Sequence, residues 1–141
     1  MSAIINGPNL NLLGQRQPEI YGSDSFEKFL RQLRERFPDI PIEYFQSNCE
    51  GEIIDKIHHL GYKNPECRGI VINPGAYAHY SYAIADAIAA IRIPVVEVHI
   101  SNISSREDFR KTSVTAPYCK GMISGLGLKG YELAITFLAS L

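Results

Sequence analysis

Side chains able to do chemistry recur wherever an apolar run of this chain ends. Asn6 and Asn9 follow the first run, Gln46, Ser47 and Asn48 the second, Asn73, Tyr77 and His79 the third, and His99, Ser101 and Asn102 the fourth. Any one of them taken singly reads as a plain terminator, because Asn and Ser end strands in most proteins. The group offers more. Its two histidines belong to a residue type that can give or take a proton. Glu97 stands two residues before His99, and alternate residues of a strand share a face, so a carboxylate and an imidazole are side by side.

A second concentration lies in the stretch from Asn6 to Ser23, which has no regular pattern. Loops of that length are uncommon in compact domains and are often lids or binding loops. Gly14 and Gly22 are its candidate hinges, giving a mobile segment at about 14–23, and Arg16 and Tyr21 lie between them. A cation beside a phenol favours the phenolate and lowers a pKa that is about 10 in a free peptide, so a tyrosine base is physically possible there. On the loop alone, the plainer reading is a packed Tyr21 ring and a solvated Arg16.

Other patterns carry less. Gly125 to Gly130 matches G-x-G-x-x-G, but a dinucleotide fingerprint belongs to the first strand-helix turn with an acidic residue about 20 positions on, so a tight turn and close helix packing explain it better. No phosphate-loop or H-E-x-x-H pattern exists, and the adjacent His58 and His59 point to different faces of their helix, leaving a metal site without support. Cys49, Cys67 and Cys119 are odd in number and widely spaced, which argues against a disulfide framework or structural zinc and for reduced thiols in a cytosol. Cys-His nucleophilic catalysis would have only Cys49 near the polar group.

The elements that must position these residues alternate along the chain. Ala3–Ile5 is a short buried strand stopped by Asn6-Gly7-Pro8-Asn9. Phe26, Phe29, Leu30, Leu33 and Phe37 form a helical stripe behind Ser23-Asp24-Ser25, with Glu27 three residues after Asp24 as in a capping box and Pro38 as the stop. Ile40, Ile42 and Tyr44 alternate as a strand. Ile53, Ile54, Ile57 and Leu60 return to helical spacing, with Gly61 as the expected C-terminal stop. Gly69 to Ile72, the helix from Ser81 to Ile91, and the β-branched run from Pro94 to Ile100 continue the alternation. Lys120 to Ser124 is a weaker fifth strand before the stripe of Tyr131, Ala134, Ile135 and Leu138. Strands alternating with helices predict an α/β fold: a flavodoxin-like, doubly wound five-stranded parallel sheet with helices on both faces. Ligands of such sheets bind outside the carboxyl ends of the strands.

Composition narrows the function classes. At 141 residues the chain is about one domain, spanning 1–141. With 14 basic against 15 acidic residues and no long run of either sign, it lacks the electrostatic footprint of a nucleic-acid or membrane surface. The N-terminus lacks the flanks of a signal peptide, and no apolar run is long enough to span a bilayer. A small-molecule ligand is the expectation.

Several longer motifs occur in order. They are NGPNLNLLG at Asn6–Gly14, R-x-P-x-x-YG at Arg16–Gly22, FQSN-x-EGE at Phe45–Glu52, NPGAY at Asn73–Tyr77, EVHISNI at Glu97–Ile103, R-x-x-FR at Arg106–Arg110 and GLG-x-x-GYELA near the end. Together they resemble the type II 3-dehydroquinate dehydratases over essentially the whole chain. The resemblance implies a hydro-lyase that uses neither metal nor cofactor and converts 3-dehydroquinate into 3-dehydroshikimate by anti elimination through an enolate. That step belongs to the shikimate pathway of aromatic amino-acid biosynthesis or to quinate breakdown.

The resemblance also implies roles. Tyr21 would be the base, kept anionic by Arg16; His99 would protonate the leaving hydroxyl, oriented by Glu97; Asn9 would stabilise the enolate oxygen through a bound water. Asn73, His79 and Arg110 would hold ring hydroxyls, and the backbone amides of Ile100 and Ser101 the carboxylate. Asp86 would come from a neighbouring subunit in a cytoplasmic dodecamer of four trimers. Cys49, Tyr80, Ala85 and Ser104 depart from residues common in the family, which bears on assembly and on the loop's surroundings.

Two other readings compete on the residues alone. A non-enzymatic flavodoxin-like module would want an acidic cluster or a phosphate-cradling loop at the strand ends, where asparagines stand and Pro8 removes an amide. A lysine route to the same product would need a buried lysine to form an imine with the ketone. Lys28, Lys56, Lys63, Lys111 and Lys129 fall on helices or turns, and Lys120 starts the weak strand.

Overall fold

The alternation of buried runs and amphipathic stripes produces one parallel sheet in the order β2-β1-β3-β4-β5. Its strands are β1 (Ser2–Asn6), β2 (Ile42–Gln46), β3 (Gly69–Asn73), β4 (Val95–His99) and β5 (Gly121–Ser124). The computed structural model describes residues 1–15, 19 and 25–141. Every residue of β1, β3 and β4 is buried, as strands covered on both faces must be, while the edge strands β2 and β5 are partly open.

Side-chain alternation splits the core into two layers. On one face, α1 (Phe26–Arg36) and α4 (Lys129–Ala139) lay Phe26, Leu30, Leu33, Tyr131 and Ile135 over Ile4, Val71, Val96 and Val98. On the other, α2 (Glu50–His58) and α3 (Tyr82–Ala90) lay Ile53, Ile57, Ile84 and Ile88 over Ala3, Ile5, Ile70 and Ile72. Each fully buried isoleucine or leucine contributes roughly 1.5–3 kcal/mol, which is what fixes the helices to the sheet.

Three local expectations are corrected. The cap of α1 is Ser25, whose Oγ accepts from the Lys28 amide at 3.3 Å, which makes Glu27 the second residue of the helix rather than the third position of a capping box; Asp24 lies outside the described residues. Strand β2 begins at Ile42 because the Ile40 amide is still bonded to the Phe37 carbonyl at 3.1 Å. Gly61 does not stop its helix. The chain passes through it in a wider π turn, His59–Lys63, and a Cβ on Gly61 would lie 2.2 Å from Ile91 Cγ2, so glycine is there for close packing against the end of α3. The Gly125 to Gly130 motif is a turn, as expected: Gly125 and Gly127 have φ of 90° and 62°, and Gly130 packs under Val98.

Order β2-β1-β3 means that the chain leaves β1 in one direction and resumes on its other side at β3. The crevice outside the carboxyl ends of β1 and β3 is therefore where a ligand site is expected.

Candidate active site

Register brings three strand ends level. Asn6 pairs with Gln46 on β2 and with Asn73 on β3, so three amide side chains stand in a row at the switch point. The turns that follow β1 and β3 touch. Gly7 N–H donates to the Asn73 carbonyl at 2.8 Å, and a Cβ on Gly7 would come within 2.5 Å of the Pro74 oxygen, so only glycine permits the approach.

A pocket opens above this row. Its walls are Pro8, Asn9, Leu10, Leu12 and Leu13 after β1, Asn73, Gly75, Ala76 and His79 after β3, His99, Ile100, Ser101 and Ile103 after β4, and Arg106 and Arg110 beyond. The polar residues expected at the site thus converge from three strand ends. No lysine is among the described residues lining it.

Asn9 takes a left-handed conformation, φ 68° and ψ −2°, which asparagine tolerates better than most side chains. Its backbone is held there by Asn48, whose Oδ1 accepts the Asn9 N–H at 3.0 Å and the Gln46 Nε2 at 3.2 Å. Gln46 also donates to the Gly7 carbonyl at 3.1 Å, and Tyr77 donates its hydroxyl to the Asn48 carbonyl at 2.9 Å. The polar groups after β2 thus brace the turn after β1.

His99 and Glu97 lie on one face of β4, as their spacing requires. His99 Nε2–H donates to Glu97 Oε2 at 2.7 Å, with Glu97 fully buried and His99 5% exposed. Two hydroxyls complete the carboxylate: Ser113 Oγ donates to Oε2 at 2.6 Å and Thr115 Oγ1 donates to Oε1. A buried charge needs such partners. Neither Ser113 nor Thr115 was legible in the sequence, for they belong to the irregular connection between β4 and β5.

His79 is anchored differently. Its Nδ1 bonds the Thr112 carbonyl at 2.9 Å, so Nδ1 carries the proton and Nε2 of the neutral ring is an acceptor. Its ring lies 6.1 Å from that of His99, centroid to centroid. Burial, more than the nearby His99 and Arg110 charges, pulls its pKa below the ordinary histidine value, against the Thr112 bond, which raises it. Arg110 is fixed by Glu107, Nε to Oε2 at 2.6 Å, and stacks on Phe109 at 4.7 Å. Arg106, not singled out beforehand, donates to Ser101 Oγ at 3.0 Å.

Not every expected residue is gathered. Arg16 and Tyr21 lie outside the described residues. Asp86 is exposed on α3, away from the pocket walls. Of the departures, Cys49 precedes the first residue of α2 without a side-chain capping bond and is exposed, Tyr80 and Ser104 are exposed, and Ala85 is buried. Burial, with Glu97 adding to it, pushes the Cys119 thiol up to about 12, which removes it as a nucleophile near neutrality.

Residues 1–139 match the family described as Dehydroquinase class II. The chain belongs to that family. Among class II dehydroquinase relatives, it is 56% identical over 134 residues to the 3-dehydroquinate dehydratase of Caldicellulosiruptor bescii, covering 94% of this chain and 91% of that protein. It is 53% identical over 140 residues to that of Bacillus pumilus, covering 97% and 92%. The crystal structure of type II dehydroquinase from Butyrivibrio crossotus superposes with a TM-score of 0.93 at 51% identity, covering 98% of this chain and 96% of that one. A 3-dehydroquinate dehydratase-like protein from Bifidobacterium longum is more distant, with a TM-score of 0.67 at 31% identity over 99% and 98% of the two chains. The class II dehydroquinase fold is thus the flavodoxin-like sheet expected from the alternation of elements.

Proposed function

We propose that this chain is a 3-dehydroquinate dehydratase, removing water from 3-dehydroquinate to give 3-dehydroshikimate. The observation that carries the reading is the convergence of Asn9, Asn73, His79 and the Glu97-supported His99 on one pocket in a chain of the class II family. A proton leaves the carbon beside the ketone, the ketone oxygen takes up the enolate charge, and the ring hydroxyl departs on the opposite face as water.

Each role follows from the chemistry its group can perform. Tyr21, as phenolate beside Arg16, takes the proton. Asn9 holds a water against the developing enolate oxygen, where a pre-placed donor is worth most. His99 gives its proton to the leaving hydroxyl, and the buried Glu97 carboxylate stabilises the imidazolium that must form first. His79 Nε2 accepts from a ring hydroxyl, Asn73 and Arg110 donate to others, and the amides of Ile100 and Ser101 take the carboxylate. Arg110 cannot lose its charge and offers a planar fork, which suits an oxygen-rich acid. Arg16 and Tyr21 lie outside the described residues, and their roles rest on the family's motif R-x-P-x-x-YG; on this reading the whole chain, 1–141, is one catalytic domain.

The reading extends to assembly: a cytoplasmic dodecamer of four trimers in which Asp86 reaches a neighbour's pocket. Its support is the exposure of Asp86 one helical turn after Tyr82, itself 70% exposed, on the same face of α3, together with three free cysteines. Light scattering that returned a monomer under assay conditions, or fractionation that placed the protein outside the cytosol, would remove this part.

The test is to mix the purified, metal-stripped protein with 3-dehydroquinate and follow the ultraviolet absorbance of the conjugated product. Absorbance rises with the native chain, and with Tyr21→Phe it stays flat while substrate still binds. Near-normal turnover in that variant removes Tyr21 as the base; a flat trace with folded native protein removes the whole reading.

A further inference from the structure

Beneath the pocket floor, α4 buries Tyr131 completely. Its ring packs edge-on to Phe26 at 5.0 Å and lies 5.9 Å from Phe29, a setting in which phenylalanine would fill the same space. A hydroxyl placed there must be partnered. It donates to Asn6 Oδ1 at 2.8 Å and accepts from Asn73 Nδ2 at 2.9 Å. Burial pushes this phenol far above the ordinary tyrosine range, so it keeps its single proton.

That single proton has a consequence for Asn73. Because it goes to Asn6, the Tyr131 oxygen can only accept from Asn73, which turns the Asn73 amide so that an N–H faces Tyr131. The other end agrees: Asn73 Oδ1 accepts the Gly75 N–H at 3.1 Å. Asn6 is held in turn, its Nδ2 donating to Tyr44 Oη at 3.3 Å. With Oδ1 and one N–H of Asn73 engaged, its second N–H remains for the pocket that Asn73 lines. The flipped amide would set two donors against each other at Gly75 and leave Tyr131 facing an oxygen with no proton between them.

We infer that Tyr131 is a positioning residue for substrate binding: its hydroxyl, polarised by Asn6, locks the Asn73 amide with an N–H donor aimed into the pocket, where it takes a hydroxyl of the substrate. The inference rests on the reading of Asn73 as a substrate contact. Tyr131 touches no substrate and acts through Asn73 alone, so its effect falls on affinity and leaves the proton-transfer step in place.

The experiment is a double-mutant cycle of Tyr131→Phe and Asn73→Ala, read by steady-state kinetics on 3-dehydroquinate with the folded fraction of each variant measured. Tyr131→Phe raises KM by about 10-fold, the equivalent of one well-made hydrogen bond, with kcat within about threefold of native. In the Asn73→Ala background it causes no further rise. A variant that leaves the Tyr131 ring in place, Asn6→Leu, releases the phenolic proton and raises KM in the same direction, so the outcome does not depend on Tyr131→Phe folding well. If Asn73→Ala raises KM while Tyr131→Phe and Asn6→Leu do not, or if the effects add in the double variant, the positioning role is wrong and the Asn73 contact stands. An unchanged KM in Asn73→Ala removes the contact itself and the positioning role with it.

Discussion

Glu97 Oε2 sits 2.7 Å from His99 Nε2 while Thr115 holds the other carboxylate oxygen, so the residue proposed as general acid leans on a fully buried anion whose remaining contacts come from a different part of the chain. Ser113 and Thr115 lie on the connection before β5, and Ser113 in turn accepts the Ala116 N–H at 3.0 Å. The carboxylate is therefore clamped from outside its own strand, which fixes the imidazole more tightly than two neighbouring side chains could by themselves.

Glu97→Gln keeps the shape and removes the charge. The imidazolium loses its counter-ion, and Ser113, Thr115 and His99 compete for one amide oxygen while an N–H is left facing hydroxyls. The expected outcome is a fall in kcat of about 100-fold, at the lower end of what general acid-base catalysis supplies, with a smaller change in KM. Steady-state kinetics on the variant decides it, and an unchanged kcat would show that His99 needs no anion.

His79 gives a pH dependence of stability with a definite sign. Its folded pKa lies below the ordinary value of 6.5, chiefly through burial, so as pH falls through that value the unfolded chain takes up a proton before the folded one does. Stability is fully present above about 6.5 and declines as pH falls towards the folded pKa. Urea midpoints of the native chain and of His79→Gln, compared between about pH 8 and pH 5, should converge on the acid side if native stability exceeds that of the variant at neutral pH. Parallel curves would mean that His79 titrates in the fold as it does in the unfolded chain.

Gly61→Ala tests the close packing of the π turn on α3. The added Cβ would meet Ile91 at 2.2 Å from Cγ2 and 2.6 Å from Cβ, and overpacking of this kind costs typically about 1–3 kcal/mol. Ile91→Ala in the same background should recover part of the loss, because it removes the atom that Gly61 avoids. Chemical denaturation measures both, and a neutral Gly61→Ala would show that the turn shifts freely.

Much of this molecule was legible before its structure. Periodicity and β-branched content separated buried strands from one-sided helices, because a strand covered on both faces reads as a short, nearly continuous apolar run and a helix on a sheet carries an apolar stripe at the helical period. The alternation implied a parallel sheet, and with it the edge at which polar residues collect. Asn9, Asn73, His79, His99 and Ser101 were placed on that edge by their position after apolar runs, and the pocket joins them. The pairing of Glu97 with His99, implied by the family resemblance and consistent with their spacing on one strand, is present at 2.7 Å.

What tertiary structure decided are the contacts with large sequence separation. Ser113 and Thr115 reach Glu97 from a connection with no repeating pattern. Tyr131 sits inside an apolar stripe, where its hydroxyl was the only hint of a polar partner, and the partners lie on β1 and β3. Asn48 braces Asn9 across two strands, a relation visible only once register aligns their ends. Gly61, read as a helix stop from local pattern, proved to be a packing contact with Ile91. Local sequence determines backbone preference and which face is apolar, since those depend on neighbours within a turn or a pleat. Which polar groups satisfy one another is determined by packing, because a buried donor must find its acceptor among whatever the fold brings within about 3 Å.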